Sequence, residues 1–99
     1  MKAIHRLEAT VRGTVQGVGF RWFVRGLALR FALTGWVANQ QDGSVRVVAE
    51  GSRDALEKLL MQLHEGPPGA VVSEIDDTWL PASGSFGGFD IRSGGHSGD

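Results

Sequence analysis

Two periodicities divide the chain. From Leu7 to Thr14 apolar and polar residues alternate, with Leu7, Ala9 and Val11 on one face and Arg6, Glu8 and Arg12 around them, which predicts a strand. At Phe20 the period lengthens. Phe20, Phe23, Val24, Leu27, Ala28 and Phe31 form one continuous helical stripe, read as core, and Arg21, Arg25 and Arg30 lie off it. This helix is expected to end near Ala32-Leu33. Gly26 inside it should cost roughly 1 kcal/mol against alanine, and close packing is the only reason the sequence offers for it.

Extended patterning returns at Trp36–Asn39, followed by a turn over Gln40-Gln41-Asp42-Gly43 whose Asp-Gly pair is a strong hairpin cue. Ser44 to Glu50 reads as a third strand, with Val45, Val47 and Ala49 alternating with Arg46, Val48 and Glu50. Ser52 is then placed to cap a second helix, with Asp54 favourably set in its first turn. Leu56, Leu59, Leu60 and Leu63 give that helix its apolar face, and Gly66-Pro67-Pro68 stops it. Residues 70–80 read as extended, with Val71, Ile75 and Trp79 on one side and Asp76-Asp77 marking a solvent-facing or bulged portion. A Gly/Ser-rich loop over 81–88 leads to a short last strand, Phe89–Arg92. Residues 1–6 read as a loosely held leader and 93–99 as a flexible polar tail.

The order βαββαβ with an extra terminal strand asks for two helices layered on one face of an antiparallel sheet, the α+β ferredoxin-like sandwich. That fold hosts many activities and decides none. Ninety-nine residues suit a single domain spanning 1–99, with about 5–92 ordered. A net charge of −1 gives no general basic surface for nucleic acid. Trp36 is alone on the second strand, and the third strand has no aromatic, so an RNA-stacking platform is not indicated. The chain has no cysteine, which removes disulfides, thiolate metal sites and a cysteine nucleophile. His5, His64 and His96 are far apart and show no metal-ligand spacing. The first residues lack a signal-peptide pattern, and no apolar run is long enough to span a membrane. A cytoplasmic monomer without membrane or nucleic-acid partners is expected.

The candidate chemistry lies where the first strand meets the first helix. Val11 to Arg21 breaks into three glycines, Gly13, Gly17 and Gly19, and ends on an arginine. Glycines permit positive φ and let successive N–H groups face one concavity, and a helix start adds unpaired N–H groups and a positive dipole end. Arg21 adds a planar fork matched to two phosphate oxygens. GxxxxGK[ST] is absent and Gly17-Val18-Gly19-Phe20-Arg21-Trp22 fails GxGxxG, so no P-loop or dinucleotide site is read. On local pattern alone the turn is either a phosphate cradle or a plain connection, Arg21 either a ligand or a solvated cation, and Asn39 either functional or an ordinary strand end.

The stretch Gly13-Thr14-Val15-Gln16-Gly17-Val18-Gly19-Phe20-Arg21 resembles the first acylphosphatase signature, G-x-V-Q-G-V-x-[FM]-R, at every fixed position. Gly35-Trp36-Val37-Ala38-Asn39-Gln40-Gln41-Asp42-Gly43-Ser44-Val45, followed by Gly51, is similar to the second. With the closing Phe-x-Ile-Arg the resemblance covers about residues 5–92. It implies a small cytoplasmic hydrolase that splits an acyl phosphate into a carboxylate and inorganic phosphate, with no cofactor and no metal. It implies that Arg21 binds the phosphoryl group and Asn39 positions the attacking water. It also implies that the backbone N–H groups of Val15, Gln16, Gly17, Val18, Gly19 and Phe20 form the phosphate loop. A carbamoyl-phosphate-handling module, as found within larger hydrogenase-maturation proteins, and an anion-binding module without turnover are the competing readings. Two positions depart from the family habit: Ala32 stands where a helix-ending glycine is usual, and Ala38 where a basic residue is common. A left-handed backbone at Ala32 should cost on the order of 1 kcal/mol.

Overall fold

The computed structural model describes residues 4–93. The leader's first three residues, most of the expected tail and His96 lie outside the described residues. Seven elements follow in order: β1 (His5–Thr14), α1 (Phe20–Arg30), β2 (Thr34–Asn39), β3 (Val45–Gly51), α2 (Arg53–Glu65), β4 (Val71–Pro81) and β5 (Phe89–Arg92). They build one five-stranded sheet in the order β4-β1-β3-β2-β5, with the two helices packed on it. Strand β1 therefore begins two residues earlier than its alternation suggests, because His5 and Arg6 pair with Gly51 and Glu50.

The strands put every second side chain under the helices. Leu7, Ala9 and Val11 of β1, Val45, Val47 and Ala49 of β3, and Val37 of β2 are wholly buried there. Val24 and Ala28 from α1 and Leu56, Leu59 and Leu63 from α2 meet them. The expected stripe of α1 is thus core, as read. α2 starts as its sequence asks, with Ser52 Oγ accepting from Ala55 N at 3.2 Å.

Two sheet expectations need correction. The pairs β1–β3, β1–β4 and β2–β3 are antiparallel, but β5 runs parallel to β2, with Gly35 opposite Phe89 and Ala38 opposite Arg92. The sheet is mixed. The connection from β4 to β5 crosses the sheet instead of turning back on it, so the last strand reaches the far edge. Val71 also does not share a side with Ile75 and Trp79, because a bulge lies between them in β4. Arg12 pairs with Glu74 and Gly13 with Val72, which leaves Ser73 as the extra residue, while Asp76 and Asp77 stay in regular register and face solvent. One extra residue flips everything before it to the other face. Val72 therefore packs on the core with Ile75 and Trp79, and Val71 is 64% exposed.

The opposite sheet face carries a buried carboxylate that no local sequence pattern singles out. The Glu50 side chain is fully buried, and accepts from Ser83 N at 2.9 Å, Ser83 Oγ at 2.8 Å and Gly84 N at 3.0 Å. Arg6 Nη1 pairs with it at 3.2 Å, and Phe86 lies against the Arg6 guanidinium at 5.5 Å. Burial pushes this carboxyl up, but the donors from Ser83 and Gly84 and the Arg6 charge outweigh it and hold the group below its ordinary value. Glu50 thereby fastens the 82–88 loop over that end of the sheet.

Candidate active site

The loop between β1 and α1 is anchored at both ends by burial. Val15 is 1% exposed and Phe20 2%, so residues 16–19 are held between two core contacts. Gly17 and Gly19 adopt φ of 77° and 78°, and Val18 between them has negative φ. Alternation of this kind turns successive N–H groups toward one side, which is the geometry of an anion nest. Gly13 supports the loop differently. With φ at 128°, a Cβ there would collide with the Val71 carbonyl at the β4 bulge. On the outer side, the α2–β4 connection lies close by: a Cβ at Gly66 would stand 3.1 Å from the Phe20 ring, and one at Gly69 3.9 Å from Val18.

Gly19 is the N-cap of α1, so the helix begins without a side-chain cap and with no acid in its first turn. Its positive dipole end and its first N–H groups are thus open to an external anion. Arg21 follows on the second helical residue and is half-buried. Among the described residues it has no hydrogen-bond or ion-pair partner, whereas Arg6, Arg12, Arg46 and Arg53 are all paired with carboxylates. A cation beside a helix N-terminus is opposed by the dipole, an arrangement that an anion in the gap would reverse.

Asn39, the last residue of β2, is buried, at 6% exposure. The turn after it is tied directly to the glycine loop. Gln16 Nε2 donates to Gln40 O at 2.8 Å and to Ser44 O at 2.9 Å. The loop and the strand end that carries Asn39 are therefore neighbours joined by two hydrogen bonds. The sequence resemblance implies a place for Gln16 in the phosphate loop through its backbone N–H; the partners of its side chain lie 24 and 28 residues away and leave no local signal. The turn is further set by Asp42, which accepts from Ser44 Oγ at 2.6 Å and Ser44 N at 2.9 Å and pairs with Arg12 at 3.3 Å. Those bonds, led by the Ser44 hydroxyl, hold the Asp42 carboxyl below its ordinary value.

The remaining positions fall away from this cluster. Trp36 points to the open sheet face, where the Arg92 guanidinium stacks on it at 4.8 Å. Ala38, which replaces the usual basic residue, is flanked in register by Arg46 on β3 and Arg92 on β5. His64 lines a cavity of about 370 Å³ between α2 and β4, beside Arg53, Met61 and Trp79. Among the described residues, no group of three or more His, Cys, Asp or Glu is placed to hold a metal, and no helix is long and apolar enough to cross a membrane.

The sequence profile of acylphosphatases matches residues 7–91. An acylphosphatase from Salinibacter ruber is 52% identical over 87 residues, covering 88% of this chain and 92% of the relative. The crystal structure of the acylphosphatase from Bacillus subtilis superposes with a TM-score of 0.86 at 36% identity, covering 89% of this chain and 98% of that one. Full-length HypF, in its phosphate- and nucleotide-bound form, matches with a TM-score of 0.83 at 30% identity, over 91% of this chain and 12% of that one. Fold and relatives together define a hydrolase acting on acyl phosphates, carried on a ferredoxin-like α+β sandwich. The chain belongs to the acylphosphatase family.

Proposed function

We propose that the phosphoryl group of the acyl phosphate sits in the loop formed by Val15, Gln16, Gly17, Val18, Gly19 and Phe20, with the Arg21 guanidinium against it and Asn39 orienting the attacking water. The half-buried Arg21, without a partner among the described residues and at a helix start without a side-chain cap, is the observation that carries this reading. Water oxygen bonds to phosphorus, the bond from phosphorus to the acyl oxygen breaks, and the carboxylate leaves with its electron pair. Carboxylates are good leaving groups, so the step needs positioning and charge stabilisation more than covalent help. Fixed N–H dipoles and one guanidinium supply that stabilisation. Asn39 can accept a hydrogen bond from water through its carbonyl and donate elsewhere through its NH2, but it is no base. The water proton passes to a phosphoryl oxygen. We read the enzyme as a cytoplasmic monomer acting on small acyl phosphates, and a cysteine-free chain needs no oxidising compartment. The competing reading of a carbamoyl-phosphate-handling module puts carbamoyl phosphate among the substrates to be tried.

The test is hydrolysis of benzoyl phosphate, followed by absorbance with chelator present. Arg21→Ala and Asn39→Ala should each lose at least about 10²-fold in kcat/KM while circular dichroism shows both folded. A folded variant within a few-fold of the parent would remove its residue from the mechanism.

A further inference from the structure

We infer that Gln16 is a positioning residue whose side chain sets the distance between the phosphate loop and Asn39, and that it acts on the reaction through Asn39. This rests on the reading of Asn39 proposed above. Both hydrogens of the Gln16 amide are used, one on each end of the β2–β3 turn, at Gln40 O and Ser44 O. Neither carbonyl depends on Gln16 alone. Gln40 O also accepts from Gly43 N at 3.1 Å, and Ser44 O from Gln40 N at 2.9 Å. Ser44 is separately fixed by Asp42, and its hydroxyl reaches Gln40 Oε1 at 3.2 Å.

The turn is thus closed by its own bonds, and what Gln16 adds is its attachment to the loop. The hairpin is also tied to β1 by the Val11–Val45 pair and the exposed Arg12–Asp42 ion pair, so the freedom left without Gln16 is a small displacement of the turn relative to the loop. Asn39 stands one residue before the clamped carbonyl of Gln40, so it would move with that displacement. A misplacement of about 1 Å at a positioned group costs on the order of 10²-fold in rate. The phosphate loop itself stays anchored by Val15 and Phe20 and keeps its glycine geometry. Loss of the Gln16 amide therefore separates two quantities that an unfolded loop would lose together: turnover falls and phosphate affinity holds.

Four proteins test this: the parent, Gln16→Met, Asn39→Ala and the double variant. Methionine keeps the length of the side chain and removes its donors, and both carbonyls retain their local partners. With benzoyl phosphate as substrate and inorganic phosphate as inhibitor, Gln16→Met should lower kcat roughly 10- to 100-fold. The inhibition constant of phosphate should stay within about twofold, since ground-state anion binding is left intact. Added to Asn39→Ala, Gln16→Met should cost less than about twofold more, because two residues acting as a unit are not additive. Gln16→Asn, which keeps the amide but withdraws it by one methylene, should repeat the pattern and serves if the methionine variant fails to fold. Losses that multiply in the double variant, or a phosphate inhibition constant that rises in step with the fall in kcat, would overturn the role of Gln16 while leaving Asn39 in place. An Asn39→Ala protein with the parent's rate would overturn both, and is distinguished from the first case by that single variant.

Discussion

Alanine at position 32 holds a backbone conformation better suited to glycine. Its φ is 58°, and it is the only non-glycine with positive φ among the described residues. The conformation is imposed by the end of α1. Leu33 N donates to Ala28 O at 2.8 Å and Ala32 N to Leu29 O at 3.4 Å, the paired bonds of a Schellman motif with Ala32 at the left-handed position. Leu33 is then carried into the core at 4% exposure. For an L-residue the left-handed region costs about 1–2 kcal/mol. Replacing Ala32 with glycine removes that strain but adds about 0.5–1 kcal/mol of freedom to the unfolded chain. The Ala32 methyl is exposed, so no burial is lost. The balance is a gain of about 0.5–1 kcal/mol, which for a domain of this size raises Tm by about 2–6 °C. Urea titration should move Cm upward at constant m, and Ala32→Asn, which also tolerates this region, should gain less. An unchanged or lower Cm for Ala32→Gly would refute the argument, since strain relief is the only favourable change it makes.

Gly26→Ala should stabilise α1 by about 1 kcal/mol, because a Cβ at Gly26 meets no atom within 4 Å; a loss of stability in the same titration would show that close packing did require glycine there. Gly35→Ala should prevent folding, read as a lost cooperative transition, since at φ 137° its Cβ would run into the Val48 carbonyl of β3. Glu50 makes stability depend on pH. Its carboxyl is held below the ordinary value of 4.5, so the stability it contributes is present above that value and is lost as the pH falls through the lowered one. Glu50→Gln should be less stable at neutral pH by about 1–3 kcal/mol, because its NH2 would face either the donors of Ser83 at one oxygen position or the N–H of Gly84 at the other. Its stability should fall less steeply than the parent's below pH 4.5; parallel acid limbs in urea titrations at stepped pH would contradict this.

What the sequence reveals and what it hides follow the range of the interaction. The change of period at Phe20, the Asp42-Gly43 turn and the Ser52 cap are written within a few residues, and each stands where its pattern puts it. The position of Ala32 was legible for the same reason, because a helix end is a local event. Strand pairing is not local. β5 has four residues and no register signal of its own, so its parallel partner could not be read from them. The bulge at Ser73 hid behind a regular alternation of Val71, Ile75 and Trp79, because only the pairing of Gly13 with Val72 exposes the extra residue. Glu50 looked like the polar half of an alternating strand, and its burial depends on donors from a loop more than thirty residues later. At the site, the glycine loop and both motif residues were named from sequence, whereas the amide that joins them became visible only with the hairpin folded against the loop.

The parallel pairing of β2 with β5 also has a consequence for how the molecule comes into being. A ribosome delivers β2 early, yet the strand that covers its outer edge is not made until β3, α2 and β4 have all been synthesised. Gly35 N, which ends up donating to Gly88 O at 2.8 Å, must wait for the same late segment. Throughout elongation the strand that ends in Asn39 is therefore a bare edge, open to pairing with another nascent chain. Contacts between residues so distant in sequence form slowly, so the β2–β5 edge closes late, after the local β2–β3 hairpin can form.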